Sequence, residues 1–246
     1  MALLETRELT KYFGLVKAVD AVTVAIQEGE LVGIIGPNGS GKTTFLNLLT
    51  GYIKPSRGVI YYQGKDITGF PPERITRLGI GRSFQIPQLY GRLTVLEHML
   101  VALAARDRAE GDIWQPLKGR GRIAEAAEIL SEFGLANMAN QGVPTLAEGE
   151  RKVLDVAISF ALQPRLLLLD EPTSGVSNKD KFGIMDRLVE ALKRAGVTVV
   201  FVEHDLEVVR QYAERILVFG DGQIVADGPP SMVLGGMGAR GGAWEV

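Results

Sequence analysis

The chain has no cysteine among its 246 residues, so neither a disulfide framework nor a thiolate metal site can hold or operate the fold. A reducing compartment is open to such a chain. Charge of one sign is scarce as well: 27 Lys and Arg against 29 Asp and Glu leave a formal net charge of -2. No overall basic field exists to recruit nucleic acid or an anionic bilayer, and such a partner must bind locally. Long apolar runs are missing. Leu166 to Leu169 and Val197 to Val202 fall far short of the roughly eighteen residues that crossing a bilayer requires, and read as buried strands. Met1 to Thr10 carries Glu5, Arg7 and Glu8 among its apolar residues, unlike the continuous apolar stretch of a secretory signal, so a cytoplasmic location is expected. What remains is an ordinary globular composition, 46% hydrophobic and 23% charged, enough for one large core.

Leu31 to Ile35 is a short apolar run closed by Gly36, and Lys42 to Thr50 reads as a helix with Phe45, Leu46 and Leu49 on one face. The alternation returns as strand Leu166 to Leu169, helix Lys181 to Arg194, strand Val197 to Val202, helix Leu206 to Tyr212 and strand Ile216 to Phe219. That order predicts an α/β fold with a parallel sheet covered by helices. Leu3 to Leu9, Val22 to Ile26 and Val59 to Tyr62 read as an antiparallel addition, with turns at Gln27-Glu28-Gly29 and Pro55 to Gly58. Between Leu93 and Leu162 the pattern is helical, with Ile123, Ala126, Ala127, Leu130 and Phe133 at helical spacing. The expected organisation is one nucleotide-binding domain over 1–246, its core at 1–92 and 163–246 and an inserted helical subdomain at 93–162. Arg106 to Arg122, rich in Gly and Arg, reads as a solvated connection rather than a nucleic-acid patch, and Gly235 to Gly242 as a mobile, glycine-dense tail.

Gly36-Pro37-Asn38-Gly39-Ser40-Gly41-Lys42-Thr43 fits the P-loop pattern and sits between an apolar strand and a helix start, where that pattern must sit. Its glycines turn backbone N–H groups inward around a phosphate, the helix N-terminus adds partial positive charge, and Lys42 reaches the outer phosphates. Thr43 is placed to hold Mg²⁺, with Thr44 beside it among the nucleotide-binding residues. A P-loop alone leaves kinase, GTPase, recombinase and transporter ATPase open. The second acidic motif narrows the choice. Leu166 to Glu171 is an apolar strand ending in two carboxylates, and strand alternation points them different ways. Asp170 then reaches the Mg²⁺ shell, while Glu171 faces the space beyond the γ-phosphate and polarises a water, which implies hydrolysis. Gln85 and His204 follow two further predicted strands, where open parallel sheets place ligands: Gln85 to contact Mg²⁺ or the attacking water, His204 to bond the γ-phosphate. His98, among Leu96, Met99 and Leu100, reads as structural.

With these residues in this order, the chain resembles the nucleotide-binding subunits of ABC transporters over nearly its full length. The resemblance implies a P-loop NTPase fold of the ABC ATPase kind and ATP hydrolysis with Mg²⁺. Phe13 matches the aromatic that stacks on adenine, and Leu146-Ala147-Glu148-Gly149-Glu150-Arg151 matches the signature, placed against the γ-phosphate held by the opposite subunit of a head-to-tail dimer. Gly79 to Gln85, Leu93 to Glu97 and Gly33 to Gly39 look most like the ATP-binding subunits of branched-chain amino acid importers, the LivG-like group, whose relatives also import other small solutes. Implied partners are a second copy or a homologous ATPase subunit, integral membrane permease subunits and an extracytoplasmic solute-binding protein, with the chain peripheral on the inner face of the membrane and no nucleic acid. The rival reading is a soluble ABC ATPase acting on a nucleic-acid or protein partner; such proteins usually carry two cassettes or long inserted coils.

The chain departs from the family pattern in places. Ala147 stands where the signature usually has serine, which removes a hydroxyl donor to the partner's γ-phosphate. Glu148 brings negative charge near a phosphate site and weakens closure unless it points outward. Ser177 stands where Asp or Asn is usual, and the end of the chain lacks the long helical ending typical of the importer group.

Overall fold

The computed structural model describes residues 2–109 and 116–239. It opens with a long antiparallel hairpin, β1 (Ala2–Phe13) and β2 (Val16–Gln27). β3 (Leu31–Ile35) follows, then the glycine loop and α1 (Lys42–Leu49), whose Phe45, Leu46 and Leu49 are fully buried as the helical spacing requires. β4 (Arg57–Tyr62) pairs with β1, and the short β5 (Lys65–Asp66) completes a four-stranded antiparallel sheet in the order β2-β1-β4-β5. The hairpin runs beyond its buried alternation because backbone pairing continues to its exposed tip, Tyr12 opposite Lys17 and Phe13 opposite Val16.

α2 (Pro72–Arg77) leads into β6 (Ile80–Arg82). The helical span holds α3 (Val95–Ala109), α4 (Arg120–Glu132) and α5 (Glu148–Ala161). On α4 the buried stripe is Arg122, Ala126, Ile129 and Leu130, continued by Phe133; Ile123 and Ala127 face solvent, so the expected face is rotated. The ends of the Gly- and Arg-rich stretch also differ from a solvated connection. Arg106, on α3, forms a two-pronged pair with Glu125, and the buried Arg122 donates to Asp107 at 2.7 Å and to the Pro116 carbonyl at 2.9 Å. These arginines fasten α3 to α4, and residues 110–115 lie outside the described ones.

β7 (Leu166–Asp170), α6 (Lys181–Arg194), β8 (Thr198–Val202), α7 (Leu206–Tyr212) and β9 (Arg215–Gly220) supply the rest of the predicted alternation. β10 (Gln223–Gly228), which the sequence pattern did not reveal, pairs antiparallel at the edge, and α8 (Pro230–Ala239) follows. Gly235 to Ala239 are thus helical rather than a loose tail, while 240–246 lie outside the described residues. The main sheet runs β10-β9-β3-β8-β7-β6, with β9, β3, β8, β7 and β6 mutually parallel.

Its central strands are apolar on both faces because both are covered. Val32, Ile34, Leu166 and Leu168 pack into one cluster with Phe45 and Leu46 and with the antiparallel sheet. Leu31, Ile35, Leu167 and Leu169 pack into a second cluster with the helices, including Val153 and Ala157 of α5. At Gly33 a Cβ would lie 3.0 Å from Val209 Cγ1 and 3.1 Å from Ala213 Cβ, so α7 packs close against bare backbone there. The sheet's carboxyl-terminal edge, where β3, β6, β7 and β8 end, gathers the loops that hold the candidate chemistry.

Candidate functional site

The loop from β3 to α1 takes backbone conformations that call for glycine. Gly36, Gly39 and Gly41 have φ of +148°, +81° and +102°. A Cβ on Gly36 would lie 2.2 Å from the Phe219 carbonyl oxygen, and one on Gly41 would lie 2.2 Å from that of Ala18. α1 starts at Gly41 with no side-chain cap and no acidic residue in its first turn, which leaves its N–H groups to an anion. Lys42 folds over the loop, its Nζ donating to the Gly36 and Pro37 carbonyls at 2.6 and 2.9 Å. Burial pulls the Lys42 ammonium below the usual lysine range, opposed by the charges of Glu171 and Asp170, so both carboxylates act on the loop's cation. Ser40 Oγ is buried without a partner.

Asp170 ends β7 and is 3% exposed. Its Oδ2 accepts from Arg82 Nη2 at 2.8 Å, whereas its Oδ1 is buried with no hydrogen-bond partner. Arg82 also donates to Asn47 Oδ1 at 2.6 Å, which ties β6, β7 and α1 together. An orphaned carboxylate oxygen beside the P-loop fits a hard divalent cation. Among the described residues no group of three or more His, Cys, Asp or Glu could hold a metal. A single carboxylate with Thr43 suits Mg²⁺ that takes its remaining ligands from phosphates and water.

Glu171 lies just past the strand, and a left-handed backbone with φ of +51° turns it away from Asp170. The two carboxylates are therefore separated by a turn, where strand alternation was expected. Gln85 Nε2 donates to Glu171 Oε2 at 2.8 Å, and His204 Nε2 lies 2.9 Å from Glu171 Oε1. Gln85, Glu171 and His204 thus form one cluster. Glu203, next to His204, accepts from the Thr173 N–H and hydroxyl, both at 2.8 Å, and its burial pushes its carboxyl above the usual range.

The signature segment starts α5. Leu146 is buried, and Glu150 Oε2 accepts the Ala147 N–H at 2.7 Å. Ala147 has no side-chain oxygen to cap the first turn in return, so amides at this helix start stay available. Gly149 sits close against Ile184 of α6. Glu148 is exposed, lies 3.6 Å from Arg151 and runs alongside Gly175 of the loop after Glu171. Ser177 hydroxyl bonds Asp180 at 2.6 Å. Lys181 pairs with Asp205, the cap of α7, so this loop is joined to the residue after His204.

Phe13 stands at the tip of the first hairpin, half exposed, with Lys11 Nζ 5.2 Å from its ring. The hairpin is anchored at the P-loop, since Asp20 N–H bonds the Gly222 carbonyl and Gly222 N–H bonds that of Ser40. His98 is buried away from this cluster; its ring bonds the Tyr90 N–H and the Thr94 carbonyl, a structural role. Arg82, Lys152 and Asp155 meet the site and were not singled out from sequence. Only the Asp and Lys three apart on one face of α5 offered a signal.

A parallel sheet with this loop, an orphaned carboxylate oxygen and a clustered second carboxylate defines a P-loop nucleotide hydrolase. A family model described as ABC transporter matches residues 19–174. The probable branched-chain amino acid transport ATP-binding protein LivG of Archaeoglobus fulgidus is 36% identical over 95% of this chain and 92% of its own length. The high-affinity branched-chain amino acid transport ATP-binding protein BraF of Pseudomonas aeruginosa is 35% identical over 94% and 93%. Among solved structures, the ADP conformation of MJ1267, an ATP-binding cassette of an ABC transporter, superposes with a TM-score of 0.86 at 32% identity, covering 98% of this chain and 96% of that one. A dimeric cassette, MJ0796, in a post-hydrolysis state bound to ADP and Pi gives 0.78 at 30% identity, covering 92% and 98%. The chain belongs to the ABC transporter family, as an ATP-binding subunit of the ATP-hydrolysing type.

Proposed function

We propose that this subunit drives import of branched-chain amino acids or a related small solute, working as a homodimer or with a homologous ATPase subunit beneath integral membrane permease subunits. The matched relatives support that solute class, and a dimeric cassette among the similar structures supports the pairing. Among the described residues no helix is long and apolar enough to cross a membrane. The relatives are named as transport ATP-binding proteins, which supports a permease on separate subunits and an ATPase peripheral on the inner face. An extracytoplasmic solute-binding protein completes an importer. The soluble-ATPase alternative is not favoured, because the relatives are transport proteins.

In the catalytic cycle the P-loop amides and Lys42 cradle the β- and γ-phosphates, and Phe13 packs on the adenine. Asp170, through its unpartnered Oδ1, and Thr43 would hold Mg²⁺, which when bound would neutralise charge on the outer phosphates. Glu171 orients water as general base, with Gln85 and His204 fixing its two oxygens. The signature segment, Leu146, Ala147, Glu148, Gly149 and Glu150, presents the start of α5 to the nucleotide of the opposite subunit, with Leu146 buried beneath it and the Glu148 side chain turned to Arg151. The observation that carries the reading is Glu171 held between Gln85 and His204 next to the P-loop lysine. Steady-state ATP hydrolysis by the purified chain, with and without its membrane subunits, tests it. Hydrolysis stimulated by reconstituted permease and loaded solute-binding protein is expected; no hydrolysis in either state overturns it.

A further inference from the structure

We infer that Lys152 is a positioning residue that couples α5 to the catalytic carboxylate: its ammonium holds the backbones of Glu171 and Gln85 together, so displacement of α5 moves both. This rests on the proposed assignment of Glu171 and Gln85 to hydrolysis.

Lys152 lies in the second turn of α5 and is 4% exposed. Its Nζ donates to the Glu171 carbonyl at 2.7 Å and to the Gln85 carbonyl at 3.2 Å. A buried ammonium persists only with such acceptors. Burial draws it below the ordinary lysine range, opposed by the charges of Glu203, Glu148, Glu171 and Asp155. Nothing in the catalytic step described above uses its proton.

The contact falls where the backbone needs support. Glu171 is a non-glycine residue at φ of +51°, a conformation that persists at functional sites only where its surroundings hold it. Its N–H is fixed by the Val202 carbonyl at 3.0 Å, and its carbonyl is met by the Ser174 N–H at 3.1 Å and by Lys152. One turn further along α5, Asp155 Oδ2 accepts the Phe84 N–H at 3.0 Å. Residues three apart share a helix face, so α5 grips the segment at Phe84 and Gln85 twice and Glu171 once. α5 begins at the signature, which the family resemblance sets against the other subunit's nucleotide. Packed helices move as rigid bodies, and a shift at that end reaches Lys152 within about one turn.

The test compares Lys152→Met and Lys152→Arg with the unsubstituted subunit, reading kcat for ATP hydrolysis and Kd for MgADP, with Glu171→Gln as reference. Lys152→Met should lower kcat by about 10- to 100-fold, the scale of an ångström-level misplacement, and leave Kd within about threefold. Lys152→Arg, able to reach both carbonyls, should recover most of the loss. A kcat in Lys152→Met within about twofold of the unsubstituted value overturns the inference, as does a matching loss of MgADP binding, which would mean general damage. Should Lys152→Met fail to fold, Lys152→Gln is judged by the same two criteria. Absence of hydrolysis in the unsubstituted chain, or undiminished turnover in Glu171→Gln, overturns the underlying catalytic reading instead.

Discussion

Arg82 Nη2 donates to Asp170 Oδ2 at 2.8 Å, and the two side chains are 6% and 3% exposed. Removing one member of a buried pair leaves an uncompensated charge, at a cost of about 3–5 kcal/mol. Arg82→Met should therefore lower the urea midpoint sharply, and adding Asp170→Asn should return much of the loss. If Arg82→Met is as stable as the parent, the pair is not the clamp between β6 and β7 described above.

The roles proposed for Lys42 and Glu171 should separate in a binding and turnover assay. Glu171→Gln should keep nucleotide affinity and lose turnover by roughly 10² or more, the scale of a lost general base. Lys42→Ala should lose affinity itself, because Lys42 supplies the loop's cation. Normal ATP binding by Lys42→Ala places the phosphate cradle elsewhere.

The chemistry that sits in consecutive residues was legible in the sequence, and so were Gln85 and His204, polar residues at predicted strand ends that meet Glu171; the charged side chains that join neighbouring elements beneath the site were not. Gly36 to Thr43 announces itself because a phosphate loop needs its glycines and lysine at fixed spacing between a strand and a helix. Asp170 and Glu171 follow from an apolar run closed by two acids. Arg82 meets Asp170 only because β6 pairs with β7, a neighbour relation that the order of elements leaves open. Lys152 and Asp155 look like ordinary polar residues of an amphipathic helix until the Gln85 segment is laid against them. The α4 stripe was misjudged because Arg122, a charged residue, takes a buried position by pairing with Asp107, which apolar periodicity does not register.

Asp155 predicts a pH dependence. Burial pushes its carboxyl up to about 6, against the bonds from backbone N–H groups and the charge of Lys152, which pull it down. A carboxyl raised above its unfolded value of 3.8 favours the fold most below that value. This contribution is lost as pH rises from there through about 6, a span worth about 3 kcal/mol. Asp155→Asn keeps an oxygen for the Phe84 N–H and cannot ionise. Its stability relative to the parent should thus increase between pH 4 and pH 7 and level off above, as read from paired denaturation curves. A difference that does not change over that range removes Asp155 as a titrating group.

Gly41→Ala tests the cradle by shape. The new Cβ would meet the Ala18 carbonyl oxygen at 2.2 Å, from a backbone with φ of +102°. Backbone strain alone costs about 1–3 kcal/mol, and the hairpin carrying Phe13 has to move as well. Melting temperature and nucleotide affinity should fall together; a stable Gly41→Ala that binds ATP normally contradicts the observed approach of β2 to the P-loop.

Glu148 decides whether the unusual signature weakens closure. Its carboxylate is exposed, 3.6 Å from Arg151, and runs alongside Gly175 rather than standing alone at the helix start. An exposed, partly paired charge is strongly screened, so its repulsion of a phosphate on the opposite subunit is expected to be small. Glu148→Gln should accordingly change ATP-dependent association of a hydrolysis-deficient Glu171→Gln subunit by less than about threefold at physiological salt, with a larger effect at low salt. Sedimentation across a salt series measures this. A tenfold tightening at physiological salt would show that Glu148 turns toward the phosphate on closure, and the pairing with Arg151 would then belong only to the separated subunit.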